Sequence, residues 1–128
     1  MKKRHIMLID DNDIDNFITH HVLTKAAVAD KITTMTSAIE ALEYLDALKD
    51  DFENFPDFIF LDIAMPLMDG FGFLNEAIHF PKISQQQCLI AMLSSSVNKH
   101  DVERSMQYPF VKNYFNKPLK IDMLKDID

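Results

Sequence analysis

Short apolar runs recur along the chain, and each of them ends at polar residues. Runs of this length, bounded by polar positions, are typical of strands that are buried on both faces of a parallel sheet. They predict five strands, at residues 5–10, 31–35, 58–62, 88–93 and 110–115. The second run is the least apolar of the five, so the pattern predicts it least strongly.

The segments between these runs carry the spacing of amphipathic helices. The first predicted helix covers 14–28, and its apolar stripe, which we expect to face the sheet, consists of Ile14, Phe17, Ile18, Val22 and Ala26. Ser37 and Glu40 form a capping box that opens a second helix, which runs to about Leu48. Its expected inward residues are Ile39, Leu42 and Leu45.

Prolines delimit the remaining helices. A third helix is predicted from about Phe71 to just before Pro81, and a fourth from about Lys99 to just before Pro109. Pro118 suits the first turn of a last helix. This alternation of strands and helices predicts an α/β fold, with a doubly wound five-stranded parallel sheet between two helical layers.

The end of the sequence lacks the usual signs of a helix C-terminus. Leu119, Met123 and Ile127 keep helical spacing up to the last residues, and Asp126 and Asp128 would oppose the helix dipole. We therefore expect that the last helix is truncated.

Composition narrows the possible classes of protein. The 128 residues are enough for one domain, which we assign to 1–128, and 48% of them are apolar. A net charge of −7 argues against direct contact with nucleic acid. The single Cys88 excludes an internal disulfide, and because no apolar run is long enough, we expect neither a signal peptide nor a membrane span. A cytoplasmic location is expected.

Polar residues lie at or just after the ends of four of the five predicted strands. They are Asp10 and Asp11 after the first strand, Asp62 at the end of the third, Ser94 after the fourth and Lys117 after the fifth. In an open α/β sheet, residues at the carboxyl ends of the strands surround a ligand crevice. Carboxylates there suit a hard divalent cation, while a hydroxyl and an ammonium group suit a phosphoryl group.

Each of these residues also has a plainer interpretation. Asp10 and Asp11 could cap the first helix, and Asp62 could form an Asx-turn. Ser94 could belong to an ordinary turn, and Lys117 could be a solvated surface residue. Their occurrence together, in order and at corresponding strand ends, favours a common site.

The chain resembles the receiver domain of two-component response regulators over about residues 5–126. The resemblance rests on the acid pair, on the segment FLDIAMPLMDGFGFL around Asp62, on Ser94 and on Lys117-Pro118. It implies a flavodoxin-like fold of five βα units in three layers, with strand order 2-1-3-4-5.

The resemblance also implies a chemistry for the acids. Asp62 would accept a phosphoryl group from a histidine kinase or a histidine phosphotransfer protein. Asp11, Asp62 and the backbone carbonyl of Ala64 would bind Mg²⁺ or Mn²⁺, and Asp10 would bind the same ion through water. Ala64 and Ser96 match the two positions that tune the rate of hydrolysis in this family.

The same resemblance implies a switch. Ser94 and Lys117 would bind the phosphoryl group, Tyr114 would be the switch aromatic, and Ser95 and Pro118 would be secondary site residues. The surface of the fourth helix, fifth strand and fifth helix would then control binding of a downstream protein. A phosphorylation-dependent dimer is left open, and no catalysis is expected beyond self-phosphorylation and self-dephosphorylation.

Two other functions are compatible with the residues. Asp11-Asn12-Asp13 imitates the D-x-D pattern of haloacid-dehalogenase-like phosphatases, although the chain is short for such a catalytic core. The chain could also be a receiver-like interaction module that is never phosphorylated.

Overall fold

A computed structural model describes residues 3–127, and residues 1, 2 and 128 of the predicted domain lie outside that range. Five strands form one sheet: β1 (Lys3–Ile9), β2 (Ala29–Met35), β3 (Phe58–Leu61), β4 (Leu89–Ser94) and β5 (Val111–Asn116). All neighbouring strands pair in parallel, in the order β2-β1-β3-β4-β5. The predicted doubly wound, flavodoxin-like arrangement is confirmed.

Within the described residues, five α-helices connect or follow these strands: α1 (Asp13–Ala26), α2 (Ala38–Ala47), α3 (Gly70–Ala77), α4 (Pro81–Ser84) and α5 (Lys99–Ser105). The sequence pattern missed α4. Proline cannot continue a helix but suits its first turn, so Pro81 opens a new short helix a few residues after α3 has ended. Within residues 3–127, no helix has both the length and the apolar content that a membrane span requires.

The last predicted α-helix is wrong in type. Ile121–Ile127 forms a 3₁₀ helix, and Pro118 precedes it instead of lying in its first turn. A 3₁₀ helix has three residues per turn, which places Leu124 and Ile127 above one another, and both are buried. The 3.6-residue spacing that suggested an α-helix therefore does not describe this segment.

The sheet separates two apolar layers. On one side, Leu23 of α1 packs with Leu124 and Ile127 of the 3₁₀ helix in one buried cluster. On the other side, residues of α2, α3 and α4, among them Leu45 and Ile83, belong to a larger buried cluster. The two clusters hold the sheet between two helical layers, so that the carboxyl ends of the strands can carry polar residues.

The predicted inward face of α1 is wrong only at the start of the helix: Ile18, Val22 and Ala26 are half-buried, and the last two pack against the core. Ile14 and Phe17 are 70% and 72% exposed, whereas the buried residues of this helix are Asn16, Thr19 and Leu23. The Asn16 amide donates a hydrogen bond of 2.7 Å to the backbone oxygen of Asp10, which anchors this polar face to the end of β1. This polar anchor at the start of α1 therefore turns Asn16 inward, while Ile14 and Phe17 stay in solvent.

The predicted inward face of α2 is wrong at one of its three residues. Leu45 is buried as predicted and Leu42 is half-buried, but Ile39 is 42% exposed. Ala38 and Ala41 are buried in its place. Small side chains therefore pack in the core at these positions, whereas the prediction was based on large apolar residues only.

Candidate functional site

Three predicted acids converge at the carboxyl end of the sheet. β1 and β3 are neighbours, and Ile9 pairs with Leu61, so the residues that follow them, Asp10 and Asp62, are brought side by side. One carboxylate oxygen from each of Asp10, Asp11 and Asp62 lies within 4.8 Å of the other two. Asp10 and Asp62 are buried and Asp11 is exposed, which leaves the cluster open to solvent on one side.

The pKa of the Asp62 carboxyl group lies well above its ordinary value. Burial and the nearby Asp10 raise its pKa to about 6, although Lys117 and a hydrogen bond from the Ile63 N–H oppose this shift. The Ile63 N–H donates to Oδ1 over 2.9 Å, and Oδ2 lies 3.5 Å from the Lys117 ammonium nitrogen. The cluster therefore holds more negative charge than its surroundings compensate.

Asp62→Asn is expected to stabilise the metal-free protein at pH 7 by about 1–3 kcal/mol. The folded-state pKa of about 6 lies above the unfolded value, so the wild type loses stability as pH rises through the window between about 4 and 6. The gain in the variant should therefore shrink toward pH 4. Urea denaturation in a chelator measures it, with the exposed Asp50→Asn as control. An Asp62→Asn variant no more stable than wild type at pH 7 would contradict this account.

Lys117 lies among the acids rather than in solvent. Its Nζ is 2.6 Å from Asp10 Oδ2 and 2.8 Å from Asp15 Oδ2, and its side chain is only 14% exposed. Burial alone would lower the pKa of this lysine, but the hydrogen bonds to Asp10 and Asp15 outweigh burial and raise it. The Lys117 backbone N–H donates to the Ser94 carbonyl over 2.9 Å, which joins the ends of β4 and β5. The interpretation of Lys117 as a surface lysine is therefore wrong.

Asp15 is a residue of this site that the sequence prediction missed. It lies in the first turn of α1, and its backbone N–H donates to the side chain of Asn12, the N-cap. Helical spacing could not have pointed to it, because Asp11 precedes the N-cap and lies outside the helix. The side chain of Asn16, also missed, fixes the backbone of Asp10.

The loop after β4 is tied to β5. Ser94 is buried, and its Oγ accepts a hydrogen bond of 3.1 Å from the Ser96 N–H. The Tyr114 hydroxyl donates to the Ser96 carbonyl oxygen over 3.0 Å, and the Asn116 amide donates to the same oxygen over 2.8 Å. The Ser96 Oγ donates to Asp101 at the start of α5. A movement of this loop would therefore change contacts of both β5 and α5.

The remaining predicted site residues are exposed: Ala64, Ser95 and Pro118. A ligand role for the Ala64 carbonyl and the secondary roles of Ser95 and Pro118 stay predictions. Asp13, which the phosphatase alternative requires, is also exposed, in the first turn of α1. Nothing in this geometry favours that alternative.

The donor set suits a hard divalent cation. Three carboxylates converge within 4.8 Å, and such oxygen ligands are those that Mg²⁺ and Mn²⁺ prefer. A cation there would offset the charge that burial and mutual repulsion make costly at Asp62. The arrangement therefore combines a buried carboxylate, a group of acids that suits a cation and an adjacent ammonium group.

Comparison with known proteins gives one consistent family. The sequence model described as the response regulator receiver domain matches residues 6–127. A curated relative, the sensor histidine kinase CheAY of Helicobacter pylori (strain ATCC 700392 / 26695), is 31% identical over 122 residues. That match covers 95% of this chain but only 14% of the length of CheAY.

Solved structures agree with this match. A two component response regulator from Cytophaga hutchinsonii superposes with a TM-score of 0.90 at 26% identity, covering 99% of this chain and 95% of the other. The phosphorylated cyanobacterial phytochrome response regulator RcpA gives a TM-score of 0.75 at 28% identity, covering 99% and 89%. The similarity therefore extends over the whole described sheet and both helical layers.

Proposed function

The chain belongs to the response regulator receiver domain family, and on this basis we propose that Asp62 accepts a phosphoryl group in a Mg²⁺-dependent reaction. The observation that supports the proposal most directly is the buried Asp62 carboxylate, which lies among Asp10, Asp11 and Lys117. The proposed donor is a phosphohistidine of a histidine kinase or of a histidine phosphotransfer protein. The proposed location is the cytoplasm.

The chemistry would be a displacement at phosphorus. A carboxylate oxygen of Asp62 attacks, the new P–O bond forms, and the P–N bond to the donor imidazole breaks as that nitrogen takes the electron pair. A cation bound by Asp10, Asp11 and Asp62 would neutralise charge on the phosphoryl oxygens. Lys117 lies close enough to compensate the charge that arrives on Asp62. The protein would act on no substrate other than its own aspartate.

Names of related proteins support the proposal without extending it. The solved structure of RcpA is described as phosphorylated, and CheAY is described as a sensor histidine kinase. This chain spans 14% of CheAY, so a kinase activity is not transferred to it. The proposed partners are a histidine kinase or phosphotransfer protein on the input side and a downstream protein on the output side.

The proposed output is a change in the surface formed by α5, β5 and the 3₁₀ helix. Phosphorylation replaces a single carboxylate charge by a group of roughly −2 that offers three acceptor oxygens. Ser94 would leave its hydrogen bond with the Ser96 N–H in order to donate to this group. Because Tyr114 and Asn116 both bind the Ser96 carbonyl, that movement would reach β5.

Labelling with acetyl phosphate and Mg²⁺ tests the proposal. We expect label on wild-type protein and on Asp50→Asn, and none on Asp62→Asn or in the presence of a chelator. Retention of label by Asp62→Asn together with its loss in Asp11→Asn would favour the phosphatase alternative. A wild-type chain that takes no label and binds no Mg²⁺ at millimolar concentration would favour the interaction module.

A further inference from the structure

We propose that Asp15 is a positioning residue that competes with the phosphoryl group for the Lys117 ammonium. It thereby weakens the contact between Lys117 and a phosphoryl group on Asp62. This inference rests on the proposed phosphoryl transfer to Asp62. Asp15 lies outside the cluster of Asp10, Asp11 and Asp62, and in this role it would lower the stability of the phosphorylated state.

The contact between the two residues joins distant parts of the chain. Asp15 Oδ2 lies 2.8 Å from Lys117 Nζ across 102 positions of sequence, with the Asp15 side chain 33% exposed and that of Lys117 14% exposed. Asp15 is held in the first turn of α1, where its N–H donates to Asn12 Oδ1 over 3.0 Å. The N-capped start of α1 therefore gives this carboxylate a fixed place beside the ammonium group.

The distances show which partners Lys117 prefers in the unphosphorylated protein. Its Nζ is 2.6 Å from Asp10 and 2.8 Å from Asp15, but 3.5 Å from Asp62. The ammonium group thus lies toward α1 and β1 and away from the acceptor oxygen. Asp10 and Asp15 engage two of its three N–H donors, and the third can reach a phosphoryl group only if Nζ moves toward Asp62, which lengthens its contact with Asp15.

Asp10 and Asp15 differ in what a bound cation would do to them. Asp10 belongs to the cluster of three carboxylates that suits a cation, and Asp15 lies outside that cluster. A bound cation would compete with Lys117 for the Asp10 carboxylate, but it would leave the contact between Asp15 and Lys117 intact. Asp15 is then the carboxylate that still opposes movement of Lys117 toward a phosphoryl group on Asp62.

Removal of the Asp15 charge should consequently strengthen binding of a phosphoryl mimic. The test is the affinity for beryllofluoride at saturating Mg²⁺ of Asp15→Asn, compared with that of a matched control, Asp13→Asn. Asp13 is an exposed acid in the same first turn, so its variant removes the same charge from the same helix end. We expect Asp15→Asn to bind about three- to tenfold more tightly than Asp13→Asn.

Two further variants show whether the effect acts through Lys117. In a Lys117→Met background, Asp15→Asn and Asp13→Asn should change mimic affinity equally. Asp15→Ser, which also lacks the charge, should reproduce the gain if Asp15→Asn folds poorly. The NMR signal of the Lys117 ammonium should shift in Asp15→Asn before mimic is added, and should stay near its wild-type position in Asp13→Asn.

The results that overturn the inference are distinct from those that overturn the function. If wild type binds the mimic at Asp62 but Asp15→Asn and Asp15→Ser bind no more tightly than Asp13→Asn, Asp15 does not compete for Lys117. A gain that persists in the Lys117→Met background also overturns the inference, because Lys117 would not carry it. If wild type binds no mimic at all, the proposed function fails, and the role of Asp15 fails with it.

Discussion

Lys82→Met is expected to lower the free energy of unfolding by about 3–5 kcal/mol, because it removes the buried cation of a partly buried charge pair and leaves its partners unsatisfied. Lys82 is 5% exposed, and its ammonium donates to the carbonyl oxygens of Phe52 and Phe55 over 2.7 and 2.8 Å. It also donates to Asp57 Oδ1 over 2.8 Å. Methionine, one atom shorter than lysine, keeps most of the apolar stem of the side chain but supplies none of these hydrogen bonds.

The Asp57 carboxylate also binds β1, so loss of its Lys82 partner should destabilise that strand as well. Its Oδ2 accepts hydrogen bonds from the N–H groups of Arg4 and His5, so the pair joins α4, the start of β3 and the start of β1. Burial would raise the pKa of Asp57, but the hydrogen bond from Lys82 contributes to a net lowering. A lowered pKa contributes stability above the unfolded value of about 4 that is lost as pH falls through the folded value.

Urea denaturation followed by circular dichroism measures the loss in Lys82→Met. Lys49→Met is the matched control, because its ion pair with Asp46 joins two exposed side chains at 3.5 Å and should contribute at most about 1 kcal/mol. The difference between Lys82→Met and wild type should narrow in acid, where Asp57 becomes protonated. A loss no greater than that in Lys49→Met would show that the pair does not hold these elements together.

Strand-end chemistry was predictable because it depends on sequence position alone. Asp10, Asp62 and Lys117 each follow an apolar run, and a parallel sheet brings the ends of such runs to one edge. The order of the strands followed from the resemblance to receiver domains. These two arguments were sufficient for the order of the strands and for the meeting of Asp10, Asp62 and Lys117 at one edge of the sheet.

The remaining features depend on contacts that sequence spacing does not show. Asp15 meets Lys117 across 102 positions, and Lys82 meets Asp57 across 25. The rotation of α1 was predicted only in part, because Asn16, a polar residue, anchors the helix to the backbone of Asp10. Periodicity identifies an apolar stripe, but it cannot rank that stripe against a buried hydrogen bond that forms only in the folded chain.

Gly70→Ala is expected to disturb the backbone of the proposed phosphoacceptor itself. A Cβ at Gly70 would lie 2.5 Å from the Asp62 carbonyl oxygen and 2.9 Å from the Ile63 Cα, and both are backbone atoms. The Gly70 N–H donates to the Ile63 carbonyl over 2.8 Å, so α3 begins in direct contact with the segment that follows β3. The clash should cost about 1–3 kcal/mol of stability as α3 and this segment move apart.

The displacement should weaken Mg²⁺ binding by about 10- to 100-fold, because it shifts the backbone that supports a ligand of the proposed site. Gly72→Ala separates this effect from loss of glycine as such. Its Cβ would meet the flexible Met68 side chain, with Cγ at 2.8 Å, and alanine favours the helix by about 0.5–1 kcal/mol. Titration with Mg²⁺ and urea denaturation of both variants give the comparison. Equal Mg²⁺ affinity in Gly70→Ala and Gly72→Ala would show that the close approach of α3 does not position Asp62.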